Sequence, residues 1–225
     1  MVGIKRIRTF VAGCFVLAFL EPAATLAGSM FVVITDTSSL SGSGYIDLQY
    51  NANAGAGAST ATITNFLTNG SLGGAATISL VGDASGNLAS TVTILNGALN
   101  SSGYNDYNEA ITFGTFVTFN VTLSDPVGGT ANSAFIVSYY ASDDATPVLS
   151  TDLTGDSALL TIEPNGTVLV QTYQAAGGSY DTTIGSGSVP EPSSVLTLLA
   201  GLVLLAGCAA PARFRRSALN QVDRE

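Results

Sequence analysis

The sequence predicts an all-β protein whose central part folds as an antiparallel, jelly-roll-like β-sandwich. Three observations carry this. Between residues 28 and 189 no long stretch has the apolar spacing of an amphipathic helix, whereas short runs alternate apolar and polar side chains with a period of two. These runs are rich in β-branched and aromatic residues and number roughly eight to ten, with turn signals about every eight to fifteen residues. The crossover helices that a parallel sheet requires are missing, which leaves antiparallel pairing.

Taken in order, residues 30–36 (MFVVITD) open the domain as an apolar strand, and a Ser/Gly turn at 38–44 ends it. In 45–50, Ile46, Leu48 and Tyr50 alternate with Asp47 and Gln49, the pattern of a strand with one buried face. The stretch 51–58 (NANAGAGA) is a loop too poor in bulky side chains to build a core. Strands are expected at 60–67 and 76–81, separated by the Asn69-Gly70 turn, and at 88–95, ending in Asn96-Gly97.

Residues 100–108 (NSSGYNDYN) read as a polar loop that displays Tyr104 and Tyr107. The clearest strand signal follows at 111–123 (ITFGTFVTFNVTL), where Phe113, Phe119, Val121 and Leu123 share odd parity. Gly114 and Phe116 break that parity and predict a bulge or bend. Asp125-Pro126 and Gly128-Gly129 end the element. Later strands are expected at 134–140, 158–162 and 167–173, the last two joined by the Pro164-Asn165-Gly166 turn.

Charge is distributed unevenly. All seven basic residues lie outside 28–189: Lys5, Arg6 and Arg8 near the start, and Arg213, Arg215, Arg216 and Arg224 near the end. Of the sixteen acidic residues, Glu21, Glu191, Asp223 and Glu225 also lie outside, so the central domain has twelve acids and no Lys, Arg, His or Cys. A surface without cations cannot neutralise phosphate, which argues against nucleic acid as a partner. Serine triads, thiol catalysis and Ser-Lys dyads all lack a required residue type. Disulfides and thiolate metal sites are excluded in the same way.

The two ends carry different signals. Lys5, Arg6 and Arg8 precede the apolar run 10–20, and Thr25-Leu26-Ala27 forms a small-residue site, so a secretory signal peptide is expected over 1–27, cut between Ala27 and Gly28. At the other end Pro190, Glu191 and Pro192 are followed by eighteen uncharged residues, 195–212, and then Arg213, Arg215 and Arg216. As a helix those eighteen residues span roughly 27 Å, enough for a thin bilayer. The arginines would hold the C-terminal side in the cytoplasm, with everything before Val189 on the other side.

A Pro-Glu-Pro box, a short apolar helix and an arginine cluster, in that order, resemble the PEP-CTERM sorting signal of exopolysaccharide-producing Gram-negative bacteria. The resemblance covers about the last thirty residues and departs from the usual pattern only in the extra tail 217–225 (SALNQVDRE). It implies export, transient lodging in the inner membrane, and recognition by an exosortase at Pro190, Glu191 and Pro192. The implied destination is the cell surface or the extracellular polysaccharide matrix. The expected divisions are therefore a signal peptide (1–27), a β-sandwich ectodomain (28–175), a Gly/Ser-rich linker (176–188), the sorting segment (189–216) and a cytoplasmic tail (217–225). The middle region (GYIDLQYN, ATITNF, FGTFVTFNVTLS) also looks like the ectodomains of such proteins, which supports the fold and names no activity.

The expectation for the central domain is a non-enzymatic surface or matrix protein without catalytic residues or a required cofactor. Three sets of side chains offer alternatives. Tyr104 and Tyr107 are residue types that stack on sugars, which suits a carbohydrate-binding module. Asp106 and Glu109, beside them in sequence, are the carboxylate pair closest to what glycoside hydrolysis needs. Asp143, Asp144, Asp152 and Asp156 supply hard oxygen donors on loops, the chemistry of a Ca2+ site, although not with EF-hand spacing.

Overall fold

A computed structural model describes residues 28–97 and 104–187. The expected signal peptide, the Pro-Glu-Pro box, the apolar helix with Arg213, Arg215 and Arg216, and the tail lie outside these residues. Among the described residues no helix is long and apolar enough to cross a membrane.

Two antiparallel sheets make up the fold. The strands are β1 (Ser29–Asp36), β2 (Ser43–Ala52), β3 (Thr60–Thr68), β4 (Ser71–Leu72), β5 (Ile78–Val81), β6 (Ala84–Asn87) and β7 (Thr91–Leu95). They continue as β8 (Asp106–Thr112), β9 (Phe116–Leu123), β10 (Ser133–Ala141), β11 (Asp156–Ile162), β12 (Val168–Thr172) and β13 (Thr182–Gly187). The first sheet has the order β13-β1-β9-β3-β7-β6. The second runs β12-β11-β10-β2-β8-β4, and β5 also pairs with β8. The helical part of the described fold is one 3-10 turn, Ala75–Thr77.

Side-chain alternation builds the core. Phe31 and Val33 of β1, Ala61 and Ile63 of β3, and Val117, Phe119, Val121 and Leu123 of β9 line the inner face of the first sheet. They meet Ile46, Leu48 and Tyr50 of β2, Phe135, Val137 and Tyr139 of β10, and Ala158, Leu160 and Ile162 of β11. Each Val, Leu, Ile or Phe side chain removed from water in this way is worth about 1.5–3 kcal/mol. Two buried tyrosine hydroxyls among them are paired. The Tyr139 hydroxyl donates to Thr35 Oγ1 at 2.9 Å, and the Tyr50 hydroxyl lies 2.6 Å from Ser59 Oγ. Asn96 ties one end of the sandwich together, accepting from the Ser59 amide and donating to the Gly57 carbonyl and Ser133 Oγ, each at 2.7 Å.

Four expectations need correction. The run 111–123 is two strands, because the chain passes from the second sheet to the first between Thr112 and Phe116. Gly114 marks that crossing: a Cβ there would collide with Asn69 Oδ1 and the Gly70 amide nitrogen. The single strand at 88–95 is part of a hairpin, with β6 and β7 joined across Asn87–Ser90 and Leu88 buried under the turn. The polar loop ends sooner than expected, since Asp106 already belongs to β8 and Tyr107 is fully buried. Finally, the linker expected at 176–188 contains β13, which pairs with β1 from Thr182 to Gly187 and buries Thr182. Backbone bonds to an otherwise open sheet edge hold this Gly/Ser-rich strand, with little side-chain packing.

Asn51 and Ala52 of the NANAGAGA stretch still belong to β2, and the remainder is a loop as expected, whose small residues have a structural use. Gly55 accepts the amides of Thr130 and Ala131, and Ala58 accepts that of Val127. A Cβ on Gly57 would overlap the Gly128 carbonyl, so two backbones approach here as only glycine allows.

Candidate functional site: an acidic cleft on the second sheet

Because side chains alternate along a strand, residues flanking the buried ones on β2 and β8 all face outward on the second sheet. On β2 these are Tyr45, Asp47 and Gln49; on β8 they are Asp106 and Asn108. The register sets Asp47 opposite Asn108, and Gln49 opposite Asp106. Ser138 of β10 lies opposite Asp47 on its other side. On the far side of β8, Ser79 pairs with Asn108 and Val81 with Asp106. Tyr104, Tyr140, Asp144 and Ala145 close the rim of a cleft of about 370 Å³.

The cleft is polar and its acids are deeply set. Asp47 and Asp106 are each only 7% exposed. One oxygen of each carboxyl, Oδ1, is buried without a hydrogen-bond partner. Asp144 reaches the site from the loop after β10 and accepts a 2.9 Å hydrogen bond from Asn108 Nδ2. Burial is the main reason the carboxyls resist ionisation, and neighbouring negative charge adds to it for Asp106. Asp47 is pushed up to about 6 and Asp106 to about 8. Two acids this close titrate as a pair, so near neutral pH they share a proton. Burial, followed by the Asp47 charge, also raises the Tyr140 phenol.

The expected site residues are dispersed. Tyr104 is 40% exposed at the rim of the cleft, whereas Tyr107 belongs to the core. The Tyr107 hydroxyl donates to Glu109 Oε2 at 2.5 Å and accepts the Leu88 amide at 3.1 Å. That corrects the reading of Tyr107 as a displayed sugar platform. Asp106 and Glu109, three residues apart on one strand, point to opposite faces. Glu109 lines a separate groove with Leu72, Ile78 and Leu80, so the pair cannot bracket one glycosidic bond.

Of the four loop acids, only Asp144 enters the cleft. Asp143 caps its own turn, accepting from the Ala145 and Thr146 amides and from the Thr146 hydroxyl. Asp152 does the same for Thr154, and both of these carboxyls are held below the usual range, first by the threonine hydroxyl and then by the amides. Asp156 begins β11, half-buried, and is raised by desolvation. Among the described residues, no three acidic, His or Cys side chains are grouped to hold one metal ion.

Sequence reasoning missed Asp47 as a site residue, whereas Tyr140, one of the tyrosines that the sequence offers for sugar contact, does line the cleft. Asp47 carried a local signal, being the charge on the outward parity of β2, but its partners come from β8 and the β10 loop, distant in the chain. No known protein family, curated protein or solved structure matches this chain.

Proposed function

We propose that this protein is an exported, non-enzymatic component of the bacterial cell surface or extracellular polysaccharide matrix, delivered there by an exosortase acting on Pro190, Glu191 and Pro192. One observation carries the reading. Every described strand lies between Ser29 and Gly187, so cutting after Ala27 and near Pro190 would remove no described strand. The order of signals at the two ends, and an acidic domain without His, Cys, Lys or Arg, agree with it. The strand order also fits a jelly roll: β1-β9-β3-β7 against β2-β8 with β4 and β5, extended by β6, β13 and β10 to β12.

The test is to replace Pro190, Glu191 and Pro192 together with alanine in the native cell. Retention of the altered chain in the membrane fraction, with the parent chain reaching the surface, supports the reading. Equal release of both chains removes it.

A second reading, a carbohydrate-binding module, is favoured by the cleft on the second sheet. Tyr104 and Tyr140 supply aromatic edges there, and Asp47, Asp106 and Asn108 supply groups that bond sugar hydroxyls. Retention on the organism's own polysaccharide that disappears in Tyr104→Ala and Tyr140→Ala, with folding intact, would establish it.

A further inference from the structure

We propose that the cleft on the second sheet is a binding site for a hard divalent cation of the Ca2+ type, ligated by Asp47 and Asp106. These are not the loop acids that the sequence singles out. Both carboxyls are more than nine-tenths buried, both line the cleft, and one oxygen of each has no hydrogen-bond donor.

Buried carboxylates in proteins normally face an arginine, a lysine, or several amide donors. Residues 28–187 contain no Lys, Arg or His at all, so no side chain of this domain can balance the pair. A shared proton removes one charge but leaves acceptor oxygens unused. A divalent ion on the Oδ1 atoms would compensate both acids together.

The donor set selects the kind of ion. The side-chain ligand atoms that the cleft offers are oxygens: the carboxyls, the Ser79 and tyrosine hydroxyls and the Asn108 carbonyl. Without imidazole or thiolate, Zn2+ and the later transition metals gain little here. Asp144, fixed by Asn108, adds negative charge nearby. Because no third acid among the described residues is grouped closely enough to ligate directly, Ser79, Asn108 and water would complete the coordination shell. Ca2+ accepts flexible, irregular sets of oxygen ligands of the kind side chains on a sheet face can supply, whereas Mg2+ demands a near-ideal octahedron. Two carboxylates with water imply an affinity of about 10⁻⁴–10⁻³ M, the range of extracellular modules.

The experiment is a Tb3+ titration of the full chain in detergent, first stripped with a chelator. The chain has no Trp, so tyrosine alone sensitises the lanthanide, and Tyr104 and Tyr140 stand at the cleft. The expected result is a saturable rise in luminescence, reversed by Ca2+ at lower concentration than by Mg2+, and a higher Tm in Ca2+ than in chelator. Asp47→Asn and Asp106→Asn should each weaken binding at least tenfold. Asp152→Asn, on an exposed turn, should leave it unchanged. Circular dichroism checks that each variant is folded. If a variant does not fold, the parent titration decides alone: absence of saturable binding up to several millimolar overturns the proposal. So does binding that survives the Asp47→Asn/Asp106→Asn double variant, or that is lost in Asp152→Asn.

Discussion

Asp47 on β2 and Asp106 on β8 are diagonal neighbours on one face of the second sheet, Asp47 opposite Asn108 and Asp106 opposite Gln49. Their proximity has a consequence for stability. Each carboxyl binds its proton more tightly in the folded chain than in the unfolded one, where it titrates near 3.8. The folded state therefore holds more protons, and stability falls as pH rises. In chelator, Tm should be highest near pH 4 and decline until about pH 8. Asp106→Asn should flatten that decline and, at pH 8, stabilise the chain by roughly 1–3 kcal/mol. Thermal melts across this pH range provide the check, and a Tm that climbs from pH 5 to pH 8 would contradict the account.

The close approach of Gly57 to Gly128 makes a sharper prediction. Because a Cβ at residue 57 would overlap the Gly128 carbonyl, Gly57→Ala must separate two backbone segments. It should destabilise by roughly 2 kcal/mol or more. Gly177→Ala, with open space around its Cβ, should stay within about 0.5 kcal/mol of the parent. Urea denaturation of the two variants distinguishes a glycine that is required from one that is merely present.

Asn96 is the buried polar link between the turn after β7, the loop before β3 and the start of β10. Asn96→Ala would strand the Ser59 amide and the Gly57 carbonyl. The cost should be about 2–4 kcal/mol, against about 1 kcal/mol for Tyr139→Phe, which loses a single hydroxyl bond to Thr35. Chemical denaturation of both variants measures the ratio.

A chain ending at Ala175 would lose β13 and open the β1 edge. That chain should show faster amide exchange along Met30, Val32 and Ile34 and a lower Tm. Unchanged exchange on β1 would return the segment to the role of a spacer.

Much of this architecture was legible because alternation is local. The odd parity of Phe119, Val121 and Leu123, and the even parity of Ile46, Leu48 and Tyr50, identify inward faces without knowledge of partners. Where pairing is long-range, the signal fails. β13 has too few apolar side chains to announce itself and exists because β1 offers an edge. Tyr107 looked exposed among Asn and Asp, yet it fills the core because Glu109 and the Leu88 amide satisfy its hydroxyl. The pairing of Asp47 with Asp106 spans β2 and β8 and depends on register, which composition does not encode. Sheet crossings were hidden too: Gly114 signalled a break in the strand but not a change of layer.

Intact-mass spectrometry of the protein from native cells, separated into membrane, surface and medium fractions, tests the central proposal most directly. The account predicts a species beginning at Gly28, ending near Pro190 and located outside the membrane, with both sheets complete. A species that still carries Arg213 through Glu225 and occurs only in membranes would contradict it, and the C-terminal segment would then be an ordinary anchor.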